Sequence, residues 1–227
     1  MLYLIGLGLN IEGISKEGLE ALKKCKRVYL ENYTVDFPYS FEELQHELGK
    51  KIVSLDRESV ENLKFLDEAN KTDVALLVYG SPLTATTHIT IIDEAKKSGI
   101  KTRVIYGASI LDGIAETGLQ LYKFGKIASI PKHEALSFLD LVKENEKAGT
   151  HSLLLVDIGM EFDDALKKLG GINKKIVVCS RIGNKGSRIY YGKINELEGK
   201  KIKKPYCIII PGKMHFLEKE ILEGFNN

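Results

Sequence analysis

Long hydrophobic runs are scarce in this chain of 227 residues. The longest apolar stretches, such as SLLLVDIG and YCIIIPG, have the length of a strand and are too short to span a bilayer. The opening residues, MLYLIGLGLN, lack a basic segment and a small-residue cleavage site, so we expect a first strand there and not a signal peptide. We therefore expect no membrane partner.

Cysteine is also rare: Cys25, Cys179 and Cys207 are widely spaced and form no CxxC pair. This spacing indicates neither a disulfide framework nor a zinc site, so we expect no bound metal and a reducing, cytoplasmic location. The formal net charge of +2 favours no particular class of partner. Because 44% of the residues are hydrophobic, the chain can bury the core of one large domain or two small ones.

Strand-like and helix-like segments alternate through the first half of the chain. The predicted strands are LYLIG, RVYLENY, KIVSL, DVALLVYG and KTRVIYG. The segments between them carry apolar residues at helical spacing, and RESVENLKFLDEANK is predicted as one continuous helix. This alternation is typical of a parallel sheet covered by helices.

The second half has a different order of elements. KKIVVCS, SRIYYGKI and YCIIIPG follow one another with only loops between them, which predicts antiparallel pairing. We therefore predict an α/β protein with two α/β domains. The N-terminal domain, residues 1–118, has a parallel sheet, and the C-terminal domain, residues 119–227, has a mixed sheet.

Small residues follow three predicted strands of the N-terminal domain. Gly6, Gly80 and Gly107 stand at strand ends, and Ser81 and Ser109 come shortly after two of them. Ligands of parallel sheets bind beyond the carboxyl ends of the strands, so these residues predict an open crevice there. GLGLN lacks the glycine spacing of a dinucleotide fingerprint, which disfavours an NAD site, and a tight turn without a ligand stays possible.

Hydroxyl groups crowd the stretch GSPLTATTH, residues 80–88. Thr86 and Thr87 either bind a ligand or cap the following helix. For His88 a structural role is favoured over a substrate contact. Glu31 and Asp157 sit at the ends of predicted strands, where either carboxylate could orient a substrate.

Five motifs occur in one order along the chain: YLIGLGLN, LENYT, GSPLTATTH, GASILDGIAETGLQLYKFGK and PGKMH. Together they resemble the diphthine synthases, a family of the tetrapyrrole methylase superfamily. The resemblance runs over most of the chain and is strongest before about residue 130. It implies two α/β domains of the tetrapyrrole-methylase type, with S-adenosylmethionine in the cleft between them, and a homodimer.

The same resemblance implies a reaction and a set of cofactor contacts. The reaction is methylation of the amino group of a modified histidine on elongation factor 2, in diphthamide biosynthesis, with S-adenosylhomocysteine as the second product. The implied contacts are Leu9, Ser81, Thr84, Ser109, Ile110, Val156, Ile182 and Tyr206. Ser81 stands where the family usually has the aspartate of Gly-Asp-Pro-Leu, and a neutral hydroxyl accepts a hydrogen bond more weakly than a carboxylate.

Two alternatives stay open. The first is a methyltransferase of the same superfamily that acts on a corrin or porphyrin precursor or on ribosomal RNA, and the second is a non-catalytic binding module. No Ser-His-Asp set is present, so the catalytic residues are unknown, and the favoured hypothesis involves no nucleic acid. The basic stretch from Lys185 to Lys204 is either a solvated face or a surface that docks an acidic protein partner.

Overall fold

A parallel sheet of five strands organises the first of two units, which spans Met1–Ile110. Its strands are β1 (Leu2–Gly6), β2 (Arg27–Glu31), β3 (Val53–Leu55), β4 (Val74–Val78) and β5 (Thr102–Ile105). They lie in the order β3-β2-β4-β1-β5, and every neighbouring pair is parallel. The computed structural model describes residues 1–225. The predicted parallel sheet is confirmed.

Both faces of this sheet are buried, because successive side chains of a strand point to opposite faces. Leu4 and Leu76 pack into one hydrophobic core, and their neighbours Ile5 and Leu77 pack into a second. All residues of β1 and β4 are buried. These two strands are therefore apolar throughout, as a sheet covered on both sides requires.

Five helices belong to the first unit. They are α1 (Lys16–Lys24), α2 (Phe41–Leu48), α3 (Arg57–Glu61), α4 (Phe65–Ala69) and α5 (Ile89–Lys97). The expectation of one continuous helix in RESVENLKFLDEANK is wrong. Leu63 has a φ of 57°, in the left-handed region, and this conformation interrupts the helix between α3 and α4.

A mixed sheet of five strands organises the second unit, which begins at Leu111. Its strands are β6 (Ala128–Ile130), β7 (Ser152–Val156), β8 (Ile176–Ser180), β9 (Arg188–Gly192) and β10 (Tyr206–Ile210). They lie in the order β6-β7-β10-β8-β9. Only the β6–β7 pair is parallel, so the predicted mixed sheet is also confirmed.

The helices of the second unit complete the chain. They are α7 (Phe138–Ala148), α8 (Phe162–Lys168), α9 (Ile194–Leu197) and α10 (Phe216–Glu223). Before them, α6 (Ile110–Gly113) leads into two 3-10 turns, Ile114–Thr117 and Leu121–Lys123. The sequence-based boundary after residue 118 stays a prediction.

The three cysteines are free thiols and all are buried. Within residues 1–225, no helix has both the length and the apolar character that a membrane crossing requires.

Candidate functional site

Three loops meet at the carboxyl edge of the first sheet. They follow β1, β4 and β5, which are adjacent parallel strands and therefore end at the same edge. Gly8 and Gly80 join two of the loops by exchanging backbone hydrogen bonds. The Gly8 N–H donates to the Gly80 carbonyl at 3.1 Å, and the Gly80 N–H donates to the Gly8 carbonyl at 2.9 Å.

Glycine is required here because the backbones touch. A Cβ on Gly6 would lie 2.5 Å from the Gly80 carbonyl oxygen and 2.6 Å from the Gly107 nitrogen. A Cβ on Gly107 would lie 2.7 Å from the Gly8 nitrogen. The expectation that small residues hold a crevice open is therefore wrong for Gly6 and Gly107, which instead let the loops pack together. Gly80 is glycine for another reason, its left-handed φ of 73°.

Three hydroxyl groups of the stretch 80–88 lack partners among the described residues, and the third, that of Thr87, is exposed. Ser81 is buried and Thr84 is half-buried, and neither side chain makes a hydrogen bond within residues 1–225. Thr86, by contrast, donates its hydroxyl to the Pro82 carbonyl at 2.7 Å. Ser81, Thr84 and Thr87 are therefore the residues of this stretch whose hydroxyls are available to a ligand, and Ser81 and Thr84 are the less exposed of the three.

His88 is the N-cap residue of α5, and its side chain does not cap the helix. The Thr86 hydroxyl does accept the His88 N–H at the start of the helix, at 3.4 Å, whereas the Thr87 hydroxyl caps nothing within the described residues. The His88 Nδ1 lies 3.0 Å from the Pro82 carbonyl oxygen. A carbonyl can only accept, so Nδ1 carries a proton and ties α5 to the loop. The Nε2 atom is buried and has no hydrogen-bond partner within the described chain.

The other predicted cofactor contacts of the first unit lie at the same edge. Leu9 is buried, and its carbonyl accepts a hydrogen bond of 2.7 Å from the Tyr79 hydroxyl. Ser109 is buried in the loop after β5, and Ile110 begins α6. The structure thus brings Leu9, Ser81, Thr84, Ser109 and Ile110 to one end of one sheet. Whether they contact a cofactor stays a prediction.

Val156, Ile182 and Tyr206 lie at one edge of the second sheet. Val156 ends β7, Tyr206 begins the antiparallel β10, and Ile182 follows the end of β8. Tyr206 is buried, and its hydroxyl donates to the Met160 carbonyl at 3.2 Å. That hydroxyl already has a partner in the core, and the cofactor contacts of all three residues stay predictions.

The two carboxylates considered for substrate orientation have hydrogen-bond partners within the chain. Glu31 is fully buried and accepts bonds from the Tyr33 N–H at 3.0 Å and the Thr34 hydroxyl at 2.8 Å. Asp157 accepts a bond of 3.0 Å from the Lys132 N–H. Glu31 therefore stabilises the turn after β2, and Asp157 joins the chain after β7 to the chain after β6.

Glu218 is a buried carboxylate that sequence reasoning missed. It accepts bonds from the Gln120 N–H at 2.9 Å and the His215 N–H at 2.6 Å, and it forms an ion pair with Lys123. These bonds outweigh the opposing effect of burial and lower the pKa of Glu218 to about 2. No local pattern reveals the role, because Gln120 and Lys123 precede Glu218 by more than ninety residues.

His151 completes this buried network. The Gly212 N–H donates to its Nδ1 at 2.9 Å, so the proton lies on Nε2, which is 3.1 Å from Glu218 Oε1. Burial is the dominant cause that lowers the pKa of His151. The motifs TGLQLYKFGK and PGKMH meet around this network. Some of their residues therefore have a structural role, which is to hold the buried Glu218 and His151.

Comparison with known proteins defines the class first. The family model described as tetrapyrrole (corrin/porphyrin) methylases matches residues 1–198, which include the whole first sheet and its carboxyl edge. A diphthine synthase from Methanococcus maripaludis is 38% identical over 98% of this chain and 98% of its own length. The chain therefore belongs to the diphthine synthase family of tetrapyrrole methylases.

Two further proteins extend the comparison. A crystal structure of a diphthine synthase, 33% identical, superposes with a TM-score of 0.92 over 99% of this chain and 95% of that chain. A diphthine methyl ester synthase from Saccharomyces cerevisiae is 45% identical over 166 residues, which are 70% of this chain and 55% of the yeast protein. These comparisons do not favour a corrin, porphyrin or RNA substrate or a non-catalytic module.

Proposed function

We propose that this methyltransferase uses S-adenosylmethionine and binds it at the carboxyl edge of the first sheet. The near full-length match to a diphthine synthase is the observation that carries the proposal. The residues at the edge fit such a cofactor. Ser81 and Thr84 offer hydroxyls without intramolecular partners, and glycine backbones form the adjoining wall. Leu9, Ser109 and Ile110 complete the proposed contacts in this unit, and Val156, Ile182 and Tyr206 are proposed in the other.

The chain's own part in the reaction is to bind and to align. When bound, the cofactor supplies a methyl group attached to a sulfonium. Transfer of this methyl group leaves a neutral thioether. An in-line displacement of this kind depends chiefly on proximity and orientation. Ser81 and Thr84 would orient the cofactor by hydrogen bonds. A desolvated site would favour the neutral amine of the acceptor, which is the nucleophilic form.

The proposed substrate is elongation factor 2 that carries the partly built diphthamide side chain. The methyl groups go to the amino group of the modified histidine until it is a trimethylammonium. The test uses labelled cofactor with two forms of the factor, one with the intermediate and one with the target histidine replaced. Label in the first form alone supports the proposal. Equal labelling of both forms, or labelling of ribosomal RNA, contradicts it.

A methyl ester is the second candidate product, because the yeast relative is named a diphthine methyl ester synthase. An ester and a trimethylammonium differ in stability toward mild base. Labelled product from the same assay should keep its label in base if only the nitrogen is methylated. Release of labelled methanol would show that a carboxylate is also methylated.

We further propose a cytoplasmic location and a homodimer. The three buried free thiols suit a reducing compartment. Sedimentation equilibrium of the full chain tests the dimer, and a monomer at all concentrations would contradict it.

A further inference from the structure

The segment between β8 and β10 places many cations at one edge of the second sheet. Ser180 ends β8 and pairs in register with Arg188 at the start of β9 and with Tyr206 at the start of β10. The Ser180 hydroxyl also donates to the Lys203 carbonyl at 2.6 Å. The hairpin loop that contains Lys185 and the chain that enters β10 therefore lie at the same end of the sheet.

The charge of this segment is concentrated. Residues 181–204 contain eight Lys or Arg and two Glu, a net charge of +6 in a chain whose total is +2. The rest of the chain therefore carries a net charge of −4. A local excess of positive charge attracts anionic partners.

Six exposed cations of this segment have no carboxylate within ion-pair distance in the described chain. Lys193 follows the far end of β9 and Lys200 lies against the Tyr190 ring, and we set these two aside and consider the other four. They are Lys185, Arg188, Lys201 and Lys203, which we call the basic edge. Lys204, beside them, pairs with Glu161 at 2.6 Å.

Exposed lysines of the first unit, such as Lys24 and Lys96, also have no carboxylate within ion-pair distance. The basic edge differs from them because its cations belong to one short segment with a net charge of +6.

The position of the basic edge connects it with the proposed site. Ile182 lies in the same hairpin loop as Lys185, and Tyr206 follows Lys203 at the start of β10. A macromolecule that approaches these two residues at their edge of the sheet would meet the basic edge.

The aromatic residues of the segment disfavour a single-stranded RNA. Base stacking needs accessible aromatic rings between the cations. The ammonium of Lys200 lies 5.4 Å from the centre of the Tyr190 ring, and that of Lys175 lies 4.8 Å from the centre of the Tyr191 ring. Tyr191 is also buried. A cluster of cations without accessible aromatic rings suits an acidic protein surface better than it suits single-stranded RNA.

We propose that the basic edge binds an acidic surface of the protein substrate and guides its encounter with the enzyme. This inference rests on the proposed function. The interaction is one of exposed charges, so salt screens it, and it acts on association more than on the chemical step.

The test is the variant K185Q/R188Q/K201Q/K203Q, assayed with elongation factor 2 that carries the intermediate. We expect the KM for the factor to rise about tenfold at low ionic strength. The kcat, the dissociation constant of S-adenosylhomocysteine and the unfolding midpoint should stay unchanged. The matched control is K24Q/K71Q/K96Q/K101Q, which removes the same charge from exposed lysines of the first unit. Its KM should equal that of the wild type.

The salt dependence of the wild-type enzyme is an independent measurement. Its KM for the factor should rise with salt and approach that of the basic-edge variant, whose own KM should change little. Equal KM values for wild type and variant at low salt, or a KM for the wild type that salt does not change, would overturn the inference. The inference would also be overturned if the basic-edge variant kept the wild-type KM for the factor but lost binding of a labelled RNA. Absence of any methyl transfer to the factor by the wild type would instead refute the proposed function.

Discussion

Ser81 is the residue whose chemistry departs most clearly from the family's usual motif. Replacing it by aspartate puts a charged acceptor where the buried serine hydroxyl has no intramolecular partner. We expect Ser81→Asp to tighten the binding of S-adenosylmethionine by up to about tenfold, since a charge-assisted hydrogen bond exceeds a neutral one by about 1 kcal/mol. Titration calorimetry measures the change.

Thr86→Val is the control for that comparison. It removes a hydroxyl from the same loop, but this hydroxyl donates to the Pro82 carbonyl. Cofactor affinity should stay within about twofold of the wild type, as expected of a residue with no role in binding. If Ser81→Asp weakens binding or leaves it unchanged, Ser81 does not contact the cofactor as proposed.

Gly107 and Gly80 should respond differently to alanine, although both lie in the same site. At Gly107 a Cβ would lie 2.7 Å from two backbone atoms, so Gly107→Ala should cost about 3 kcal/mol or more and abolish cofactor binding. At Gly80 the nearest atoms are 3.8 Å away, and only the left-handed φ is unfavourable, which should cost about 1 kcal/mol. Urea unfolding of the two variants compares these costs, and equal losses would contradict the contact argument.

At the scale of elements, Glu218 joins α10 to the 3-10 turn at Leu121–Lys123 and to the start of β7. Its pKa in the folded protein, about 2, lies below its ordinary value of 4.5. Ionised Glu218 therefore adds roughly 3 kcal/mol to the free energy of unfolding at any pH above its ordinary pKa. This contribution is lost as the pH falls toward 2. The lowered pKa of His151 also makes the fold less stable in acid. As the pH falls, the unfolded chain binds a proton at His151 more readily than the folded protein does.

Glu218→Gln tests this account. At pH 7 the variant should be less stable than the wild type by about 3 kcal/mol, since buried donors lose a charged acceptor. The difference should shrink between pH 4.5 and 2, where wild-type Glu218 becomes protonated. Thermal unfolding across this range measures it. Glu220→Gln, on the exposed face of the same helix, should show no such dependence. A difference that does not vary with pH would refute the ionic explanation.

The strands were predictable from the sequence, and the finer division of the helices was not. β1 and β4 are continuous apolar runs bounded by glycine or charge, which is why their existence and parallel pairing could be inferred. The break at Leu63 was hidden, because leucine favours helices and its left-handed conformation is imposed by the surrounding fold. Local propensity cannot reveal a conformation that tertiary packing selects.

At the scale of the whole molecule, a ligand that binds only the folded state must stabilise it. S-adenosylhomocysteine at a hundredfold excess over its dissociation constant should raise the free energy of unfolding by about 2.7 kcal/mol. Differential scanning calorimetry with increasing ligand measures the shift, and adenosine alone serves as the control. No shift at any concentration would refute the proposed cofactor.

Much of the candidate site was readable from the sequence because its parts are contiguous motifs. Residues 80–88 can be recognised in the sequence by their many hydroxyl groups. The parallel pairing of β1 and β4 places them beside the loop that follows β1. The sequence could not show that the Thr86 hydroxyl is hydrogen-bonded to the Pro82 carbonyl while the Thr84 hydroxyl is not, since both are threonines in one loop. Only coordinates distinguish them, and the same holds for Glu218, whose partners are distant in sequence.

The contact between glycine backbones has a practical consequence for anyone who wishes to redesign this enzyme. The loops after β1, β4 and β5 behave as one interlocked part, because a side chain added to Gly6 or Gly107 would strike the backbone of a neighbouring loop. A single loop grafted from another methylase would therefore clash with the backbones of the other two loops. Transplanting all three loops together would preserve their packing. Libraries that aim at a new acceptor should leave this part untouched and diversify the hairpin that carries Lys185.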